Sequence, residues 1–265
     1  MPPRVKNPND PGNDDPGWLH YVEPYAGGLA VLLAQDPTGI SEVVCDSNRQ
    51  LTNFWRVLQN ERLFRKFRKF MESVPFSEIE YNDAEQFLKG DPRKHPINSA
   101  AMFFVRCRQS MSGRMDCFAP VTRNRTRRAM NEQASAWLSA IDGLPEAHQR
   151  LRSVLVLEGP ALRVIKKQDG PRTLFYLDPP YMKETRTAED VFEHEMSDKQ
   201  HENLLDCLTE IEGRFMLSGY RSVLYDHYAD RYGWRREEMP IDNKSSSSKT
   251  KAQRVECVYM NYQAT

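Results

Sequence analysis

The sequence lacks paired cysteines, long apolar runs and an excess of charge of either sign. Its five cysteines, Cys45, Cys107, Cys117, Cys207 and Cys257, are scattered and form no CxxC pair. That argues against a zinc site and against a disulfide framework, and for reduced thiols in a cytoplasmic protein. No apolar run approaches the roughly 20 residues of a bilayer span, so no membrane partner is expected. Lysine plus arginine and aspartate plus glutamate number 37 each, a balance in which distribution reports on partners and the total does not. HExxH spacing is absent too: the histidine that follows His194-Glu195 is His201, seven positions after His194. No metal is expected, and there is no internal repeat.

What is present alternates. Residues 1–17 are rich in Pro, Gly, Asn and Asp and read as a flexible lead-in, unlike a signal peptide. A short strand is expected at Leu19–Glu23, a helix at Leu29–Ala34, a strand at Ile40–Cys45 and helices over Ser47–Leu58 and Arg62–Met71. Phe64, Phe67 and Phe70 recur every three residues and read as core. The pattern resumes with strand Val154–Leu157, helix Ala161–Lys167 and strand Thr173–Leu177. Ser197 then caps a helix to about Ile211, with Gln200 at capping-box spacing. Strand Phe215–Leu217, helix Ser222–Arg231, a flexible loop Lys244–Lys251 and an apolar stretch Val255–Tyr262 follow. Alternating strands and helices predict an α/β fold with a mainly parallel sheet.

The middle differs in charge. From Arg93 to Arg128 there are nine Lys or Arg residues and one acid, Asp116, with Phe103, Phe104, Met111, Met115 and Phe118 interleaved. A helix over Asn131–Ile141 and a turn at Gly143-Leu144-Pro145 close the segment. The chain is therefore expected to divide into a main domain, 18–89 with 151–265, and a basic, mostly helical insertion, 90–150. Arg106, Arg108, Arg114, Arg123, Arg125, Arg127 and Arg128 are candidates for phosphates or guanine edges.

Two loops follow apolar strands directly. In Glu23-Pro24-Tyr25-Ala26-Gly27-Gly28, adjacent glycines let backbone approach a ligand and open a helix whose first amides attract negative charge. The spacing is not GxGxxG, so a dinucleotide is not the obvious ligand; a plain tight turn is the alternative. In Asp178-Pro179-Pro180-Tyr181, two prolines fix two φ angles and remove two donors, which makes the tetrapeptide rigid. An acid before and an aromatic after could grip a flat base that carries an amino group. The alternative is a rigid strand-to-helix turn with a solvated aspartate.

Together these loops resemble the DPPY class of amino-methyltransferases, specifically the Dam-like DNA adenine methyltransferases. Tyr21 to Gly28 resembles the family's cofactor motif, and Cys45-Asp46-Ser47-Asn48 with Leu51 and Asn53 its acidic motif. Asp178 to Tyr181 matches the catalytic tetrapeptide, and Glu256 to Tyr262 the terminal strand ending in Asn-Tyr. The order of these motifs, with the basic insertion second, is that of the alpha group. The resemblance implies a Rossmann-like methyltransferase fold, and S-adenosylmethionine held by Glu23, Tyr25, Gly27, Gly28, Asp46 and Asp178. It also implies methyl transfer to adenine N6 in double-stranded DNA by base flipping, catalysed by Asp178, Pro179, Pro180 and Tyr181 in a monomer or weak dimer.

The sequence departs from the family twice. The residues before Tyr21 match no Gly-Gly-Lys segment, from which weak cofactor binding is expected unless Arg4 or Lys6 folds over the site. In Glu158-Gly159-Pro160-Ala161-Leu162, Pro160 stands where the family places an acid, and Glu158 is the substitute at hand. Rival readings are a DNA-binding relative without turnover, and an amino-methyltransferase acting on cytosine N4 or RNA.

Overall fold

The computed structural model describes residues 17–182, 196–241 and 254–263. The lead-in up to residue 16, His194-Glu195 and the Lys244–Lys251 loop lie outside the described residues. In chain order the elements begin β1 (His20–Glu23), α1 (Ala30–Ala34), β2 (Ser41–Asp46), α2 (Arg49–Gln59), α3 (Glu61–Met71), α4 (Glu78–Leu88) and α5 (Pro96–Gln109). A small hairpin, β3 (Thr126–Arg127) and β4 (Met130–Asn131), leads to α6 (Glu132–Asp142), α7 (Leu144–Leu151), β5 (Val154–Glu158) and α8 (Ala161–Gln168). β6 (Thr173–Leu177), α9 (Asp198–Glu210), β7 (Arg214–Tyr220), α10 (Val223–Tyr232), β8 (Arg235–Ile241) and β9 (Arg254–Met260) complete the described chain.

Two compact units result, one holding the described residues up to Ser47 and from Gly159 onward, the other Asn48–Glu158. The second unit therefore starts well before residue 90, because α2, α3 and α4 pack with α5.

In the first unit the sheet order is β2-β1-β6-β7-β9-β8. β2, β1, β6 and β7 are parallel, whereas β9 runs antiparallel to both β7 and β8. The chain steps from β1 to β2 on one side, and β6 returns on the other side of β1. That reversal makes the carboxyl ends of β1 and β6 a topological switch point, where open α/β sheets bind ligands. The parallel strands are apolar because they are covered on both faces: Val22, Leu174, Phe175, Leu177, Phe215 and Leu217 are all fully buried. Outermost β8 is Arg-Arg-Glu-Glu-Met-Pro-Ile, mostly exposed, and its charges and Pro240 suit an edge that must not recruit another strand.

The ends of β6 and β7 are tied together by close backbone packing. A side-chain carbon at Gly213 would lie 2.9 Å from the Thr173 carbonyl oxygen, so only glycine fits there. Asp169 accepts from the Glu212 and Gly213 amides at 3.0 Å each. Asn261 accepts from the Phe215 amide and donates to the Gly213 carbonyl, both at 2.9 Å. The asparagine of the terminal Asn-Tyr pair thus locks the start of β7. At α9 the expected capping box is formed between Ser197 and Gln200.

The second unit is helical apart from the hairpin and β5. Asn48, the last residue of the acidic motif, caps α2 by accepting from the Gln50 and Leu51 amides. Phe54 of α2 stacks on Phe104, meets Phe67 edge-on and touches Phe103; the Trp137 indole reaches the Val74 carbonyl at 2.8 Å. Of the aromatics interleaved with the arginines, Phe103 and Phe104 are buried in this core, and the partly buried Phe118 packs on Phe76 and Tyr81. Phe64 and Phe67 are buried as expected, but Phe70 is 36% exposed. The expected turn at Gly143-Leu144-Pro145 is instead the entrance of α7, since proline is tolerated in a first turn where its missing amide has no partner to lose.

No helix among the described residues is long and apolar enough to cross a membrane, and no group of three or more metal-binding side chains occurs among them.

Candidate active site

Three acidic residues close three neighbouring parallel strands: Glu23 ends β1, Asp46 ends β2 and Asp178 follows β6. Each owes its place to the apolar strand that leads to it; Glu23 is buried with its strand, Asp46 is partly buried and Asp178 is exposed.

Glu23 is 2% exposed and its carboxylate accepts from the Tyr21 hydroxyl at 2.7 Å. Burial pushes its carboxyl up to about 7, against the hydrogen bonds from Tyr21 and the Leu32 backbone; the Glu42 and Asp178 charges add to the rise. Burial and the Glu23 charge push the Tyr21 hydroxyl far above its ordinary range, so it stays a donor.

The loop after β1 is pinned by the end of β2. The Ala26 amide donates to the Cys45 carbonyl at 2.9 Å, and the Gly27 amide donates to Asp46 Oδ2 at 3.1 Å. Gly27 has φ +46°, in the left-handed region where glycine is favoured. Side-chain carbons built at Gly27 and Gly28 meet nothing within 4 Å, and both residues are exposed. At Gly28, whose φ lies outside the left-handed region, nothing in the protein itself demands glycine. Tyr25 is partly buried, and burial raises its hydroxyl. The helix that follows differs from expectation. It has five residues, and its N-cap Leu29 sits at φ 57° without a side-chain cap, so it offers little dipole for an anion.

At β6 the tetrapeptide is fixed by its neighbours on β7 and β9. Pro179 is buried, Pro180 and Tyr181 are partly buried, and Asp178 is exposed. Asp178 Oδ1 accepts from the Ser218 hydroxyl at 2.7 Å. The Tyr181 hydroxyl donates to the Glu256 carboxylate and lies 3.2 Å from the Ser218 hydroxyl. Burial first, then the Asp178 charge, pushes the Tyr181 hydroxyl far up, so it remains protonated. Tyr176, beside them, is pushed up to about 12 by burial and by Asp178 and Glu23. Ser218 and Glu256 had no place among the expected site residues.

The expected DNA-facing arginines all belong to the second unit. Arg108, Arg114, Arg123, Arg125, Arg127 and Arg128 are exposed. Three of them flank or form a hairpin in which Thr126 pairs with Asn131 and Arg127 with Met130. Its two-residue turn, Arg128-Ala129, has φ +55° and +58°, the mirror-image turn that fits strand twist but usually takes Asn-Gly. Arg128 also forms a long ion pair with Asp142 at 4.0 Å, and Arg125 one with Glu132 at 3.9 Å. Arg106 differs from the expectation. It is buried, donates to the Met115 carbonyl, pairs with Glu85 at 3.4 Å and covers the Tyr81 ring at 3.9 Å. Its charge serves the interior of this unit, because a buried guanidinium must be fully partnered. Glu158, the substitute acid, is also engaged, with Arg93 at 2.8 Å and Arg49 at 3.4 Å, on a cleft of the second unit.

The first unit thus has a mostly parallel methyltransferase-type sheet, a glycine loop over its first strand and a rigid acid-aromatic loop at the neighbouring strand. No curated protein matches the chain. The sequence profile of the D12 class N6 adenine-specific DNA methyltransferases matches residues 13–241, most of the chain. The chain belongs to that family, whose members place a methyl group on the exocyclic N6 nitrogen of adenine in DNA.

Proposed function

We propose that Glu23, Tyr25, Gly27, Gly28 and Asp46 hold S-adenosylmethionine. We further propose that Asp178, Pro179, Pro180 and Tyr181 hold an adenine flipped from double-stranded DNA. The observation that carries this reading is the placement of Glu23 and Asp178 at the carboxyl ends of the neighbouring strands β1 and β6, on the switch point of the sheet. The residues fit a cationic, ribose-bearing cofactor. Open space over Gly27 and Gly28 admits a ligand against the backbone, and the buried carboxyl of Glu23 ends the strand that leads into that loop. Asp46 accepts from the Gly27 amide at the end of β2, and a carboxylate, each of whose oxygens accepts more than one hydrogen bond, suits ribose hydroxyls as well.

When bound, the cofactor supplies a methyl group on a sulfonium, already a good leaving group. Positioning is then what the protein contributes. Asp178 and the Pro179 carbonyl accept from the amine and direct its lone pair, while Tyr181 stacks on the ring. That stacking offsets an unstacking cost of a few kcal/mol. The exposed arginines of the basic segment, 90–150, neutralise phosphates; the hairpin that carries Arg127 and Arg128 is the foremost of these contacts.

The test uses Glu23. Its folded-state carboxyl, raised to about 7, favours the protonated form. The stability it contributes is therefore fully present below about pH 4.5 and is lost as pH rises through about 7. A cation placed nearby favours the ionised form, so S-adenosylmethionine should bind more tightly as pH rises from 6 to 8. Calorimetric titration should show this, and Glu23→Gln should both weaken binding and abolish its pH dependence. An affinity independent of pH in the parent protein would remove Glu23 from the cofactor site.

A further inference from the structure

Three side chains on two strands gather behind the acid-aromatic loop. Ser218 and Tyr220 lie two residues apart on β7 and so share a face of the sheet. Glu256 of β9 stands directly opposite Tyr220 across the antiparallel ladder, and partners in such a ladder point to the same face. That face meets Asp178 and Tyr181. The Ser218 hydroxyl donates to Asp178 Oδ1 at 2.7 Å, Tyr181 donates to Glu256, and Tyr220 packs edge-on against Tyr181 with ring centroids 4.9 Å apart.

We propose that Ser218 and Glu256 are positioning residues for methyl transfer: Ser218 fixes the rotation of the Asp178 carboxylate, and Glu256 fixes the plane of the Tyr181 ring. The proposal rests on the reading of Asp178 as the group that holds the target amine. An aspartate's last torsion is broad and two-fold, so an exposed carboxylate such as Asp178 turns freely unless one oxygen is held. With Oδ1 held by Ser218, the second oxygen keeps one direction. Tyrosine likewise can swing about its Cα–Cβ bond, and the bond from its hydroxyl to Glu256, with the Tyr220 ring packed at 79° to its own, holds one ring plane for a base. Ser218 lies between the two groups, with its hydroxyl 3.2 Å from that of Tyr181. Neither Ser218 nor Glu256 need touch the substrate.

Misplacement of a reacting group by about 1 Å can cost on the order of 10²-fold in rate. Ser218→Ala should therefore lower kcat by roughly 10- to 100-fold, with little change in KM for S-adenosylmethionine. Ser218→Thr, which keeps the hydroxyl, should recover most of the loss. Glu256→Ala should lower kcat as well, and combining it with Tyr181→Phe should add little, because each breaks the same hydrogen bond. Steady-state kinetics on these variants, with Asp178→Ala alongside and circular dichroism to confirm folding, decides the matter. Folded Ser218→Ala and Glu256→Ala proteins with the parent kcat would overturn the proposal while an inactive Asp178→Ala leaves the amine-holding reading intact. An active Asp178→Ala would overturn that reading instead, and this proposal with it. Equal losses in Ser218→Ala and Ser218→Thr would show that packing, not the hydroxyl, matters, and would also overturn it. Should Ser218→Ala fail to fold, Ser218→Cys, with similar volume and a weaker donor, takes its place in each comparison.

Discussion

Turnover in Asp178→Ala is expected to fall by roughly 10²- to 10³-fold, the loss typical when one preorganised polar partner of the reacting atoms is removed. Unfolding by denaturant should be nearly unchanged, because Asp178 is exposed and its one described hydrogen bond is from Ser218. Asp178→Asn should be impaired as well. Ser218 donates to Oδ1, so an asparagine that keeps its oxygen there presents its NH2 group towards the amine, a donor facing a donor. A loss in kcat with KM for DNA preserved would place the effect in the transition state and not in binding. A folded Asp178→Ala protein with near-parental turnover would remove this residue from the chemistry.

The second large effect concerns salt. If the exposed arginines of the basic segment neutralise phosphates, DNA affinity should fall steeply with ionic strength, by about 0.9 log units per contact for each tenfold rise in salt. Replacing Arg125 and Arg128 together by alanine should lower that slope by about 1.8. Their own ion pairs, 3.9 and 4.0 Å long and exposed, are too weak to hold them back from phosphates. The turn of the hairpin points the same way. Arg128 and Ala129 hold a left-handed conformation that costs non-glycine residues roughly 1–2 kcal/mol each, and such strain gathers at functional sites. Arg106→Ala is the contrasting case: it should lower stability and leave the salt slope alone, since that guanidinium is buried among Glu85, Met115 and Tyr81. A salt slope unchanged in Arg125→Ala/Arg128→Ala would show that the hairpin faces solvent in the complex.

Much of the first unit was legible because three of its strands are short apolar runs that end on an acid. Val22-Glu23, Cys45-Asp46 and Leu177-Asp178 each mark a strand end within a residue or so. The edge strand β8 was not legible: Arg-Arg-Glu-Glu carries no apolar alternation, because an edge strand exposed to water needs none. Helix α4 was missed for a related reason, since Ile79 is 72% exposed and its apolar residues form no single stripe. The burial of Arg106 has no mark in the sequence, because charge says nothing about depth. Only the packing of α5 against α4 turns that one arginine inward. Ser218 and Glu256 were invisible as site residues, because their place depends on strand register, which puts Glu256 opposite Tyr220 and has no local signature.

The central claim, that these loops methylate adenine at N6, is tested most directly by product analysis. The protein is incubated with unmethylated double-stranded DNA and S-adenosylmethionine carrying an isotopically labelled methyl group, and the DNA is digested and its nucleosides separated by mass. The account predicts label in N6-methyladenosine of the deoxy series and in no other nucleoside, and its loss in Asp178→Ala. Label in N4-methylcytosine, or undiminished label with Asp178→Ala, would contradict it.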